Sequence, residues 1–453
     1  MVFNELLFFL GLMPITVLIS FMDRSAEFKN LILILTTLIF VSWGRPFGVC
    51  IIFASVVLEY LFGLGISKGR GAGALLALDA VMNIGLLVLL GANYLFSEGS
   101  TFSIRSALLP AGVGYYTAKG FSYCFDVYTG RCKVEKNIFC LMTYMVCYHS
   151  LAAGPVNRYG DTEPYIRRRS VTGKSLSDGL TLFIIGLGKT VILAQAFSRL
   201  KAAGLSHRDT TLAGSWIGMI SFFAECWFSF TGLCDMARAL GIMNGFNYES
   251  NYRELSVGEL VTGFVKSANT TLIKLFTDVS KTFTKGRLIP SAAAALIGCT
   301  LIALWYHISK PFLAVGLALG AVLLIEKLFL QKLLAQLPTI VKAIYVLLVS
   351  GILLGGIYFE NFSDYMHWVS SLFGGGNAYT LSISLEKAIV GNIWLIVIAF
   401  FMTCAPAKKL ITDNVDRFEK RSEQAMAISR ITKTVLTAVI LFICVVTLAA
   451  EAG

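Results

Sequence analysis

Long apolar stretches separated by short polar ones set the pattern of this chain. They fall near residues 3–21, 29–43, 46–66, 73–96, 106–122, 137–155, 178–198, 211–244, 288–308, 311–330, 337–359, 383–405 and 430–450. Apolar and polar positions do not alternate within them, so the pattern predicts helices and not the strands of a barrel. A helix that crosses a bilayer needs about 20 mainly apolar residues, and it satisfies its own backbone hydrogen bonds. Counted this way, the chain is an all-α polytopic membrane protein of roughly 11 transmembrane helices. The shorter runs are expected to be re-entrant or buried, because other protein must cover backbone that stops at membrane depth.

Composition agrees. Of 453 residues, 56% are hydrophobic and 14% are charged, and mean hydropathy is +0.73. Soluble domains carry about 25% charged residues. The lipid bilayer is therefore the first expected partner. Met1 to Phe21 carries Glu5, has no basic start and no small-residue cleavage site, which predicts a retained first span. With no repeat, no low-complexity tract and no soluble segment, residues 1–453 are expected to form one membrane domain.

The net charge of +11 comes from 38 basic and 27 acidic residues. No basic patch interleaved with aromatics lies outside the apolar runs, so no nucleic-acid partner is expected. Lysine and arginine instead mark cytoplasmic loops. One such loop, 157–174, holds Arg158, Arg167, Arg168, Arg169 and Lys174; another, 407–433, holds seven basic residues. Arg131, Lys133 and Lys136 form a third basic cluster, at the opposite end of the run 137–155. Both ends of a spanning helix cannot be cytoplasmic, so this run is expected to be re-entrant.

Ten cysteines include no C-x-x-C pair, and no histidine pair has ligand spacing. Neither disulfides nor a metal site is expected. Charges at membrane depth are expensive and mark candidate sites. Glu59, Asp79, Glu225, Asp235, Arg238 and Glu326 qualify. Asp235 and Arg238, three apart on a helix, are expected to pair. Glu225 lies one turn before Ser229 on the same face and is a candidate cavity residue. His149 and His307 lie in apolar segments, where either could act as a general base or as a hydrogen-bonded structural group. His207 and His367 are expected in loop and interfacial positions.

Read in order, the segments resemble a known family. FNELLFFLGLMPITVLIS and KNLILILTTLIFVSWGRP, with Trp43, Gly44 and Pro46, resemble the start of membrane-bound O-acyltransferases. The nearest likeness is to the bacterial alginate O-acetyltransferase and teichoic-acid D-alanyl transfer branch. Pro110, Gly112 and FSYCFDVYTG (Phe121–Gly130) resemble the family's proline–glycine turn and S-Y-x-x-D-V-Y-x-G. LAAGPVNRY (Leu151–Tyr159) is similar to A-G-P-x-x-R-Y. FIIGLGKTVILAQ (Phe183–Gln195) is similar to a G-L-x-K-K helix. FSFTGLCDMARALGIMNGF (Phe228–Phe246) is similar to F-D-F-S-G-Y-S-D-M-A and L-G-x-x-x-G-F. Order and spacing hold from residue 3 to about 255.

The resemblance implies a ring of helices around a thin central floor with re-entrant segments, where two tunnels meet. It implies a cytoplasmic acyl thioester donor (acetyl-CoA or a carrier protein), no bound cofactor, and an acceptor hydroxyl activated by histidine. It further implies a cytoplasmic (inner) membrane location. Trp305, Asp235, Arg238, Ser229 and Arg158 would line the substrate tunnels or form structural polar contacts. The chain departs from the family where the chemistry sits. The first histidine position falls on Val265, within LVTGFVKSANT. The second falls on Tyr306, in ALWYHISKPF, with His307 next to it. One residue along a helix turns a side chain by about 100°, so His307 reaches the family position only if the helix is re-registered. Ser229 replaces the first aspartate of its segment.

Three readings follow. The first is a pseudoenzyme or acyl-transfer partner in cell-surface polysaccharide O-acylation, bound to a periplasmic or extracellular acyltransferase or to a second protein of this family. The second is an active O-acyltransferase of the bacterial cell envelope that uses a shifted base, His307, with Tyr306 and Glu225 as the other catalytic candidates. The third is an unrelated transporter, for which the matching broken helices expected of inverted halves are missing.

Overall fold

In the computed structural model, helices bury polar backbone and side chains against one another and turn apolar side chains outward. The structure describes the chain except residues 1, 2, 4, 6, 44–47, 92–111, 152–153, 206–210, 256–258, 286–287, 308, 360, 376–382, 404 and 453. Gly44, Pro46, Pro110 and His207 therefore lie outside the described residues.

A π-helical turn at Phe8–Leu12 leads into α1 (Met13–Phe21), followed by α2 (Ala26–Ser42), α3 (Gly48–Ser67), α4 (Ala72–Gly91) and α5 (Val113–Tyr128). Two short helices come next, α6 (Ile138–Val146) and α7 (Tyr148–Leu151), then α8 (Tyr159–Arg167). The long helix α9 starts as Gly173–Gly188, widens into a π-helical stretch at Lys189–Ala194 and ends as Gln195–Gly204. Helix α10 (Leu212–Met243) packs along it. The glycines make this possible. A Cβ on Gly186 or Gly232 would sit 2.7 Å from the other's carbonyl oxygen, so the two backbones touch.

The second half holds α11 (Val261–Val265), α12 (Thr270–Thr284), α13 (Leu288–Tyr306) and α14 (Lys310–Ile325), which runs on through a π-helical Glu326–Leu330. The last helices are α15 (Thr339–Tyr358), α16 (Phe362–Leu372), α17 (Ile383–Thr403), α18 (Ala405–Glu419) and α19 (Glu423–Ala452). Gly316 and Gly320 of α14 lie against Thr300 and Leu296 of α13, a close antiparallel hairpin.

Seven helices among the described residues are long and apolar enough to cross a membrane, and three shorter apolar ones accompany them. That is close to the roughly 11 spans expected from hydropathy. Many leucine, isoleucine and valine side chains stand exposed, as on α17 and α19, where Trp394 is 77% and Phe442 70% exposed. Such a surface suits lipid and not water. The chain is a multi-pass membrane protein.

Two details correct or sharpen the sequence reading. The basic stretch 407–433 is not a loop: it forms α18 and the start of α19, with Lys433 and Ser429 both bonded to Glu419. The run 137–155 breaks at Cys147 into α6 and α7, and its core from Leu141 to Leu151 is buried throughout. Nine residues of helix rise about 14 Å, less than half of a bilayer core of about 30 Å. The run therefore does not span by itself.

Candidate functional site

The motif segments meet first in an ion network at the end of α5. Arg158 donates from Nη1 to Asp126 Oδ1 (2.9 Å) and from Nη2 to Asp278 Oδ2 (2.7 Å), and Arg131 also donates to Asp278 (2.8 Å). Arg158 thus joins α5, α8 and α12. Asp126 is the more deeply buried carboxylate. Burial outweighs the pull of Arg158 and Arg131 and raises its pKa to about 6. For Asp278, burial opposes but the two guanidiniums win, and they hold its carboxyl below the ordinary range. Behind this network the Tyr123 hydroxyl accepts from the Glu135 backbone N–H (3.0 Å), and its ring meets Tyr159 edge-on at 5.3 Å. Tyr159 donates to Glu135, which also accepts from Arg167 (2.6 Å). The S-Y-x-x-D and R-Y residues are thus scaffold, knitted to each other.

A second buried unit links α9 to α10. Lys189 Nζ lies 2.6 Å from Asp235 Oδ2, and the Tyr252 hydroxyl donates to Asp235 Oδ1 (2.9 Å) and accepts from Lys189 (3.1 Å). The expected pairing of Asp235 with Arg238 does not occur. Arg238 Nε donates instead to the Tyr248 carbonyl (3.0 Å). Asp235 faces α9, where a buried lysine is waiting, so the tertiary partner overrides the spacing on its own helix. Glu225 likewise pairs across to α9, with Lys201 Nζ at 2.6 Å. Ser229 is half-buried on the same helix.

Tyr306, where the resemblance puts the second histidine position, lies in a polar cluster. Trp305 packs edge-on against Tyr115 (4.7 Å), and Gly114 leaves room for its indole: a Cβ there would lie 2.4 Å from Nε1. Asn269 donates from Nδ2 to the Tyr306 hydroxyl at 3.3 Å. Asn269 is itself buried in a left-handed conformation, φ 52°, at the start of α12. Its Oδ1 and the indole N–H of Trp305 find no hydrogen-bond partner. Strained backbone and unpaired buried polar atoms gather at sites that do something. Tyr306 is 48% exposed. His307 stands one residue on, exposed, with its ring 5.3 Å from Phe312.

Val265, where the resemblance puts the first histidine position, ends α11 and lines a cleft of about 450 Å³ between α11, α12, α13 and the end of α14. Buried Glu326 fixes this short helix. Its carboxylate accepts from the backbone N–H groups of Val261 and Thr262 (both 3.0 Å) and from the Thr262 hydroxyl (2.6 Å). A carboxylate at a helix start satisfies donors that have no partner within the helix. Glu326→Ala is expected to loosen α11, measured as faster proteolytic cleavage near residues 261–265 in detergent. Unchanged cleavage would assign the anchoring elsewhere.

Two buried features stand apart. Asn83 Nδ2 bridges Glu59 Oε1 (2.7 Å) and Asp79 Oδ1 (2.8 Å), and the Cys124 thiol donates to Glu59 (3.2 Å). One ligand-type atom from each of Glu59, Asp79 and Cys124 lies within 4.8 Å of the others, a grouping that no spacing in the sequence announces. His149 is fully buried among Tyr148, Phe246 and Tyr248, and neither ring nitrogen has a partner.

Sequence reasoning passed over Lys119 and Lys189, although both are charges inside apolar runs and could have been flagged as Asp235 was. Lys119 is buried and donates to the Tyr144 carbonyl (3.0 Å) and the Ser150 hydroxyl (2.8 Å). Asn269 gave one signal only, that asparagine tolerates a positive φ.

The chain is similar to curated proteins. It is 25% identical to a probable alginate O-acetylase AlgI of Azotobacter vinelandii over 344 residues, 72% of this chain and 69% of that protein. It is 28% identical to the Pseudomonas aeruginosa protein of the same name over 279 residues, 58% and 53% of the two chains. A peptidoglycan O-acetyltransferase of Helicobacter pylori is 22% identical over 302 residues, 57% of each. The chain thus spans between about half and two thirds of the length of these relatives. No protein-family model matches it. The helical membrane architecture, the ordered segments and these relatives together support the membrane-bound O-acyltransferase family for this chain.

Proposed function

We propose that this protein is a membrane component of cell-surface polysaccharide O-acylation whose own catalytic centre is lost or altered. The relatives, named for acetylating alginate and peptidoglycan, support the pathway and the acetyl group. One observation carries the reading of the centre. The resemblance puts Val265 and Tyr306 at the two histidine positions, and in the structure Tyr306 is bonded to Asn269 while the His307 ring lies 5.3 Å from Phe312. A hydroxyl acceptor needs a base within hydrogen-bond reach. A tyrosine, with a reference pKa of about 10, is a poor one at neutral pH. The protein would then sit in the cytoplasmic membrane. There it would pass an acyl group from a cytoplasmic thioester, or scaffold a periplasmic or second membrane acyltransferase that does the chemistry.

The active alternative keeps one observation in its favour. The Asn269 and Trp305 polar atoms next to Tyr306 are unpaired, as a site awaiting substrate would leave them. The test is the ester-linked acyl content of surface glycan in a deletion strain complemented with wild type, His307→Ala or Tyr306→Phe. Both variants are expected to restore acylation as wild type does. If His307→Ala is made at normal level and restores none, the protein is an enzyme with a shifted base.

A further inference from the structure

Three helices bring four polar side chains to one point: Glu59 of α3, Asp79 and Asn83 of α4, and Cys124 of α5. Glu59, Asp79 and Cys124 are each 3% exposed or less. Glu59 stands near the middle of Gly48–Ser67, a helix long and apolar enough to cross the bilayer. Two carboxylates at that depth are expensive to keep. Their hydrogen-bond partners are Asn83 and Cys124, and no lysine or arginine pairs with either among the described residues. The one lysine of α5, Lys119, donates elsewhere, to the Tyr144 carbonyl and the Ser150 hydroxyl.

The backbone is shaped for this meeting. Gly120 lies one turn before Cys124 on the same face of α5. A Cβ on it would lie 2.5 Å from the Glu59 carboxylate carbon, so glycine makes room for the carboxylate beside the thiol. Asn83 Nδ2 donates to Glu59 Oε1 (2.7 Å) and Asp79 Oδ1 (2.8 Å), so one amide holds both carboxylates and leaves the second oxygen of each. Glu59 Oε2 lies 3.2 Å from the Cys124 sulfur. Asp79 Oδ2 is buried and has no hydrogen-bond partner. A buried oxygen without a partner is costly and calls for one. One oxygen from each carboxylate and the sulfur fall within 4.8 Å of one another. Tetrahedral zinc, with bonds of about 2.3 Å to sulfur and about 2.0 Å to carboxylate oxygen, sets such atoms about 3.3–3.5 Å apart. Small side-chain adjustments therefore close all three donors on one ion.

We propose that Glu59, Asp79 and Cys124 bind a zinc ion that ties α3, α4 and α5 together within the membrane. The donor types select it. Magnesium and calcium take oxygen ligands, for which a thiolate is a poor substitute, whereas a mixed set of sulfur and carboxylate suits zinc. The ion's two charges offset those of the two carboxylates, and the Cys124 proton leaves to solvent as the sulfur binds. Asn83 is then the hydrogen-bond partner that orients the metal-binding carboxylates. No spacing in the sequence announces the site, because each helix supplies one donor. This goes beyond the functional reading and does not depend on it.

The experiment uses the full chain, purified in detergent, stripped with a chelator, reloaded with zinc chloride and desalted. Retained metal is measured by mass spectrometry. The wild type is expected to retain about one zinc ion per chain. Glu59→Gln, Asp79→Asn and Cys124→Ser should each retain almost none, and Asn83→Ala should bind about 10–100-fold more weakly. Cys50→Ser with Cys226→Ser removes two exposed cysteines and should retain zinc as the wild type does. Variants are compared only where they elute as the wild type does. Cobalt loading of the wild type gives a readout that needs no variant: a near-ultraviolet thiolate-to-cobalt absorption band is expected. A wild type that retains no zinc overturns the proposal and leaves the cluster as a carboxyl pair that shares a proton. Cobalt uptake without the thiolate band overturns it as well. So does zinc that survives the three ligand variants, which would mark binding at other cysteines.

Discussion

Asp235→Ala is expected to destabilise the protein by about 3–5 kcal/mol, the cost typical of removing one partner from a buried ion pair. The pair is well enclosed, with side-chain exposures of 11% for Lys189 and 5% for Asp235. Without the carboxylate, Lys189 would keep its charge with the Tyr252 hydroxyl as its one remaining hydrogen-bond partner among the described residues. The pair also sits where α9 widens into its π-helical stretch and where Gly186 and Gly232 bring the two helices into backbone contact. An uncompensated charge there forces apart a seam in which the two backbones touch. Removing both charges is a different matter, since buried ion pairs are often replaceable by apolar residues at little cost. The double variant Lys189→Met, Asp235→Leu should therefore recover most of the loss. Heating detergent-solubilised protein and following the folded fraction by size exclusion measures both. A single variant as stable as wild type, or a double variant no better than the single, would show that the pair does not hold the seam.

Arg158→Ala comes next, with an expected loss of about 3 kcal/mol, again because one partner of a buried pair is removed. It would leave Asp126, whose side chain is 2% exposed, beside Asp278 with only the more exposed Arg131 to separate them. This loss should depend on pH. Burial already holds Asp126 at about 6 in the folded protein, above its unfolded value of about 3.9. A raised folded pKa means that the folded state binds the extra proton, so Asp126 favours folding most at low pH and less as pH rises through about 6. Asp278 works in the opposite sense. Its lowered pKa contributes stability above the unfolded value, lost as pH falls through the folded one. Removing Arg158 pushes Asp126 further up and weakens the hold on Asp278. The deficit of the variant relative to wild type should shrink between about pH 8 and about pH 5, as Asp126 takes up its proton. A deficit that stays constant over that range would mean that Arg158 acts through packing and not through charge.

The helical membrane fold was legible because hydropathy is a property of each segment alone. So were the segment order that carries the family likeness and the failure of 137–155 to span, which the charges at its two ends required. Pairing was not legible. Asp235 was matched to Arg238 by spacing on one helix, whereas its partner came from another helix 46 positions earlier. The role of Glu326 was hidden in the same way, since its ligands are backbone N–H groups 64 and 65 residues away. The polar cluster around Tyr306 was half visible. Tyr306 and Trp305 came from the likeness, but Asn269 matters through a backbone conformation that no spacing reveals. The cleft was invisible, because it is a space between four helices and not a property of any one.

The break at Cys147 bears on how the protein is made. A translocon sorts each emerging segment by whether it can cross lipid unaided, and α6 is too short to do so. The stretch 138–151 must wait in the channel, or beside it, until its neighbours arrive. Among those neighbours is Asn244, whose side chain reaches Tyr148 at 3.1 Å and is translated almost a hundred residues later. This buried stretch is thus seated only once α10 has left the ribosome, about a hundred residues after its own synthesis.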